Sequence, residues 1–184
     1  MIQCPNCGRE NADNFNFCLE EAKGAYILLL HDDDLIDPDF VSICMERAQG
    51  SVEHSFIRTG TRIIDPFGNV LRERTNVVDE RTPEGLYRAW FNGNAVWYYC
   101  STLFNTKALR DVGGFDSIRN YLDDGYAIVR LAERTDWLDV PEVKASFRRS
   151  PEQMTYAIRT SNLPATTCRR PTLSLQTAPD AADL

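Results

Sequence analysis

Histidine is nearly absent from this sequence: His31 and His54 are the only two in 184 residues. That scarcity counts against a metal-dependent phosphohydrolase, which needs a second carboxylate-histidine constellation beside its first. Long apolar runs are missing too, and none approaches the ~20 residues that a membrane-spanning helix requires. Positive charge is in deficit, with 20 Lys and Arg against 27 Asp and Glu and a net charge of -7. A polyanion such as nucleic acid is therefore not an expected partner. The pairs Arg148-Arg149 and Arg169-Arg170 are too small to make a basic patch. The opening Met1-Ile-Gln-Cys-Pro-Asn-Cys7 has neither a basic nor an apolar leader region, so the expected location is the cytoplasm or the periphery of a membrane. Six cysteines lack regular spacing, and in such a chain they read as free thiols or metal ligands rather than a disulfide framework.

What is present is concentrated near residue 30. Ala25-Tyr-Ile-Leu-Leu-Leu30 is an unbroken apolar run opened by Gly24 and closed by His31-Asp-Asp-Asp34. The run predicts a strand buried on both faces in the middle of a parallel sheet. Such a strand delivers the acids to the carboxyl edge of the sheet, where open α/β folds bind ligands. Three adjacent carboxylates repel one another unless water or a cation relieves them, so Asp32, Asp33 and Asp34 are candidate ligands of a hard divalent ion. A solvated acidic loop is the plain alternative.

Ala22 to Pro38, with its strand, its acids and its proline, resembles the segment of family 2 glycosyltransferases that runs into the metal-binding DxD motif. In register on Pro38, Asp33 falls on the acid that usually touches the metal, and His31 stands where the first Asp often is. The order Ser101-Thr-Leu-Phe104, Lys107-Ala-Leu109 and Val112-Gly-Gly-Phe-Asp116 is similar to the segment that precedes the family's catalytic acid. Tyr121-Leu-Asp123-Asp124 then occupies the place of its Glu-Asp motif. The resemblance implies Asp124 as base, with Asp123 replacing the Glu. It implies Mg or Mn held by Asp33 with Asp32 and Asp34. Arg148 and Arg149 would belong to an arginine-bearing segment that closes over the donor, although the usual His there is missing. The fold implied is α/β, a partial GT-A (Rossmann-like) mixed sheet flanked by helices and lacking the first nucleotide-binding strands. The likeness covers residues 10–158.

The reaction implied is inverting transfer of a sugar from a nucleotide-diphosphate sugar to a hydroxyl of a glycan or lipid-linked acceptor. Family members bind the donor's base and ribose with two earlier strands that nothing before Asn14 supplies. A non-catalytic interaction protein built on a degenerate transferase is the second reading, and an unpaired sheet edge predicts association with another chain.

Elsewhere the pattern is ordinary. Cys4, Cys7 and Cys18 resemble three ligands of a zinc ribbon whose fourth position is Glu21, so residues 1–9 read as an incomplete zinc-ribbon-like start with a site for Zn. Alternatively, Asn14 to Lys23 forms a helix with Phe15, Cys18, Leu19 and Ala22 on its inner face. Asp37 is expected to cap a helix with Phe40, Val41, Cys44, Met45 and Ala48 inward. Phe56–Ile64 and a return strand through Val70 and Leu71 flank a turn, and 72–81 reads as a polar connection. A helix is predicted to start at Thr82-Pro83-Glu84, a strand to run from Ala95 to Phe104, and Asn105-Thr106 to cap a short helix ended by Gly113-Gly114. His54 is expected on the surface, and residues 159–184 form a disordered tail.

Overall fold

The computed structural model describes residues 11–116 and 123–150. The zinc-ribbon start with Cys4 and Cys7, and the tail, lie outside the described residues. Helix α1 (Asn11–Glu21) leads into strand β1 (Tyr26–Leu28), the acid loop and the two-residue strand β2 (Leu35–Ile36). Helix α2 (Phe40–Arg47), strands β3 (Phe56–Ile64) and β4 (Val70–Arg74) and helix α3 (Pro83–Phe91) follow. A 3-10 turn (Tyr99–Ser101) opens strand β5 (Thr102–Asn105), and helices α4 (Thr106–Asp111) and α5 (Asp123–Ala132) precede the long strand β6 (Leu138–Arg148). The strands make one mixed sheet in the order β1-β5-β3-β6-β2, with β4 beside β3. This is the expected class, a mixed α/β fold with helices flanking the sheet.

The pairing fixes where the acids go. β1 runs antiparallel to β5, β5 antiparallel to β3, and β3 parallel to β6. Three strands, β1, β3 and β6, therefore point the same way; β1 ends at Leu28, level with Ile57, and the chain beyond it continues toward the edge formed by the ends of β3 and β6, where Leu35 pairs with Ser146. Because β5 runs the other way, its first residues and the turn before it lie toward that edge too. The expectation of a strand buried on both faces is corrected here. β1 is three residues long and half-buried, and it stands at one end of the described sheet. The central strand is β3, whose nine residues are buried except Arg62.

Two apolar layers cover the sheet. One joins Leu19, Phe56, Phe104, Phe115, Ile128 and Trp137, and draws on α1, α3, α4 and α5. The other joins Phe40, Cys44, Ile57, Leu103 and Val140 beneath α2. Burial of such side chains contributes roughly 1.5–3 kcal/mol each, which is why short helices like α4 hold.

Local signals in the sequence explain several boundaries. Thr82 caps α3, its hydroxyl accepting from Gly85 N at 3.0 Å, with Pro83 in the first turn. Asn105 caps α4 in the same way, accepting from Ala108 N at 2.9 Å. Gly113 and Gly114 take φ of +91° and +76°. A Cβ on Gly114 would stand 2.3 Å from Asn16 Oδ1, and Asn16 brackets Phe115 with two hydrogen bonds, to its carbonyl at 2.7 Å and from its N–H at 2.8 Å. The double glycine thus lets α1 dock on the turn.

Other expectations are corrected. Asp39, not Asp37, is the residue before α2 and makes no side-chain cap; Asp37 is drawn away into an ion pair with Arg62 at 2.8 Å. On α2, Phe40, Cys44 and Ala48 are buried, but Val41 is exposed and Met45 half-buried. Cys18 lies on the outer side of α1 and is exposed. His54 is half-buried. The run 95–104 is a strand only from Thr102; the preceding residues coil into the Tyr99–Ser101 turn. The polar connection is partly buried, since Arg72–Arg74 belong to β4 and Asn76 is fully buried. Among the described residues no helix is long and apolar enough to cross a membrane.

Candidate active site

Beyond β1 the chain turns sharply, Asp34 N donating to His31 O at 3.3 Å. Asp34 is the buried acid of the loop, at 5% exposure, and its Oδ1 accepts from Arg148 N at 2.9 Å. Arg148 reaches back from the end of β6. Its Nε donates to Asp33 O at 2.8 Å, and its Nη1 donates to Asp65 O at 3.0 Å and Pro66 O at 3.1 Å. One guanidinium thereby ties the ends of β1, β3 and β6 together. The resemblance implied a donor-binding Arg148; in this structure its side chain is engaged with loop carbonyls.

His31 rests on a pair of touching rings. Its ring stacks on Phe15 at 5.7 Å and packs against Tyr99 at 5.4 Å, centroid to centroid. In that position a ring nitrogen of His31 and carboxylate oxygens of Asp33 and Asp34 all lie within 4.8 Å of one another. Asp32 is exposed and outside this group. Atoms on opposite sides of one ion are separated by twice the ligand distance, about 4–5 Å for ions bound at 2.0–2.6 Å. The three groups therefore fit a single divalent cation. Burial pushes the Asp34 carboxyl up, Arg148 N–H opposes that, and the Asp33 charge adds to it. A cation placed there relieves both effects.

The second pair of acids opens α5. Acids in a first helical turn are favoured by the helix dipole. Asp123 is buried and Asp124 half-buried. Asp124 Oδ1 accepts from Gly125 N at 2.7 Å. Burial raises the Asp124 carboxyl to about 7, against the pull of that N–H and with the help of the Asp123 charge.

The turn that opens β5 feels the charge of both acid groups. The buried Cys100 thiol donates to the Asp34 carboxylate, and both the Asp34 and Asp124 charges hold its proton on after burial has already raised it. The Tyr99 hydroxyl is buried without a hydrogen-bond partner among the described residues and is pushed up by burial and then by Asp124 and Asp123. Tyr98 stacks flat on Phe147 at 4.2 Å, and burial raises its hydroxyl to about 12 while the Arg149 charge pulls it down. The Cys100 thiol thus feels Asp34 through a hydrogen bond and Asp124 through its charge, and the Asp124 charge also reaches Tyr98 and Tyr99. The sequence-predicted residues Asp33, Asp34, Arg148 and Arg149 collect at this edge, whereas Asp124, at the start of α5, is linked to it through the charge it exerts on Tyr98, Tyr99 and Cys100. Sequence reasoning missed His31 as a member of the ion-sized group and the three residues of the turn.

A third polar group lies away from this edge, inside the sheet. Arg58, at 0% exposure, donates from Nε and Nη2 to Asp139 Oδ1 at 2.8 and 2.6 Å, and from Nη2 to Asn76 O at 2.9 Å. Asp139 Oδ2 accepts from Val78 N and the Trp137 indole. Asn76 joins Thr59 O and Val96 N. These residues hold β3, β6 and the 75–78 segment together, and their role is structural.

The family model described as Glycosyl transferase family 2 matches residues 7–113. No curated protein matches the chain.

Proposed function

The chain belongs to glycosyl transferase family 2, and from that premise we propose that it transfers a sugar from a nucleotide-diphosphate sugar to a hydroxyl acceptor, with inversion at the anomeric carbon. The observation that supports this reading is the ion-sized group of His31, Asp33 and Asp34, together with the Cys100 thiol that feels the charges of both Asp34 and Asp124.

Asp33 and Asp34 would hold a divalent ion such as Mn or Mg, and the ion supplies Lewis-acid stabilisation of the departing diphosphate. Arg148 keeps the loop that carries them in shape. Asp124 accepts the proton of the acceptor hydroxyl as the oxygen attacks the anomeric carbon. The new C–O bond forms opposite the bond to the diphosphate, whose electron pair leaves with the phosphate. A carboxylate held near 7 is a stronger base than an exposed one and remains ionised in half or more of the molecules at neutral pH. Burial of the carboxyl is the main cause of that tuning. Asp123 adds negative charge next to it. The acceptor is a glycan or lipid-linked hydroxyl, and the expected setting is the cytoplasmic side of the cell.

A titration with uridine diphosphate, with and without Mn2+, tests the reading. Wild type is expected to bind in a metal-dependent way, and Asp33→Ala to lose the metal dependence while its thermal unfolding stays within a few degrees of wild type. Binding indifferent to both metal and Asp33 would contradict it.

A further inference from the structure

The ion-sized group contains an imidazole where an all-oxygen site would have a third carboxylate, and the surroundings of that imidazole are built. His31 packs against the touching pair of Phe15 and Tyr99. Neither ring nitrogen has a hydrogen-bond partner among the described residues, while one of them faces the Asp33 and Asp34 oxygens at ion-binding separation. Among the described residues the ring is thus oriented by packing. Asp34 is equally constrained from the other side, by Arg148 N and the Cys100 thiol. The exposed Asp32, the acid nearest in sequence, is turned away.

From these observations we propose that His31 is a direct nitrogen ligand and sets the ion preference of this site, favouring first-row transition ions over Mg2+. The proposal rests on the ion-holding part of the function proposed above. Magnesium takes oxygen ligands in near-ideal octahedral geometry and parts reluctantly with its water, so a nitrogen donor gives it little. Manganese, cobalt and zinc accept imidazole, with affinity rising along that series. Replacing one carboxylate by a neutral imidazole also removes one negative charge from the site, which weakens a hard ion bound mainly by charge more than one bound through a nitrogen donor.

Mn2+ bound to the full chain, without nucleotide, is a direct probe. Electron spin-echo measurements on the bound ion are expected to show modulation from a 14N nucleus in wild type. His31→Asp is expected to bind Mn2+ without that modulation, and to let Mg2+ displace it at a concentration lower by about ten-fold, in line with the usual effect of altering a metal's ligand environment. His31→Phe, which preserves the ring stack, is expected to lose the modulation and weaken Mn2+ binding. Asp33→Ala tests the site itself. Mn2+ binding that depends on Asp33 but shows no nitrogen coupling, or a Mn2+ to Mg2+ ratio unchanged in His31→Asp, would overturn the inference and leave the transferase reading standing. Failure of wild type to bind Mn2+ at all would overturn both.

Discussion

Asp124→Asn is expected to abolish sugar transfer while leaving binding of the nucleotide almost untouched. General-base catalysis by a positioned carboxylate is worth roughly 10²–10⁴ in rate, and the amide keeps the shape while losing the basic oxygen. The loss should fall on kcat, because Asp124 is not part of the ion-sized group of His31, Asp33 and Asp34. The pH dependence gives a second readout. Burial raises the Asp124 carboxyl to about 7 in the folded chain, above the ordinary carboxylate range of the unfolded one. Between about pH 4 and pH 7 the native state therefore holds a proton that the unfolded state has released. The contribution of this group to stability is full below pH 4 and is lost as pH rises through 7. Activity runs the opposite way, rising to a plateau above pH 7 as the base is freed. Asp124→Asn removes this group's part of the stability slope, which urea unfolding at pH 5 and pH 8 measures. An activity profile that is already flat at pH 5 would contradict the assignment.

The largest effect on stability is expected at Asp139. Asp139→Ala leaves the Arg58 guanidinium, at 0% exposure, without its counter-charge inside the sheet. Breaking one side of a buried pair costs about 3–5 kcal/mol. Here Val78 N and the Trp137 indole lose their acceptor in addition. Replacing both members, as Arg58→Met with Asp139→Leu, removes the stranded charge and should recover part of the loss. Recovery stays incomplete, since Val78 N and the indole remain unsatisfied. Denaturant midpoints of the two single variants and the double variant form the cycle that checks this. A double variant less stable than both singles would refute the account of the pair as a stranded-charge problem.

Much of the site was readable from short-range chemistry. An apolar run followed by acids announces a strand and the sheet edge it serves, and the acids were found there. Thr82-Pro83 and Gly113-Gly114 carry their own geometry, a hydroxyl cap and two positive φ angles, so those boundaries followed directly. The failures share one cause, which is that they depend on contacts between distant residues. Ala95 to Phe104 has the aromatic and β-branched composition of a strand throughout. Only the need to place Tyr99 against His31 and Phe15, and Cys100 against Asp34, turns its middle into a coil. The Arg58 partners lie 18 and 81 residues away, at Asn76 and Asp139, so a polar connection concealed a buried anchor. His31 passed as a departure from a motif because register compares residue types, whereas its ring position is set by packing. Leu28 and Leu29 suggested a central strand because the sequence shows how apolar a segment is and not what lies beside it.

The claim on which the rest depends is that the acid loop and Asp124 border one cleft. Mn2+ added in small amounts to isotopically labelled protein reports this directly through the relaxation of nearby amide signals. The Trp137 indole is an internal reference, because it precedes β6, which pairs Leu138 with Ile57 and pairs Arg148, beside the acid loop, with Ile64, seven residues along β3 or about 23 Å at about 3.3 Å per residue. The signals of Cys100 and Gly125 should broaden at Mn2+ levels that leave the Trp137 indole largely intact, and Mg2+ should broaden none of them. A Gly125 signal that survives as long as that of Trp137 would place Asp124 away from the ion and contradict the account.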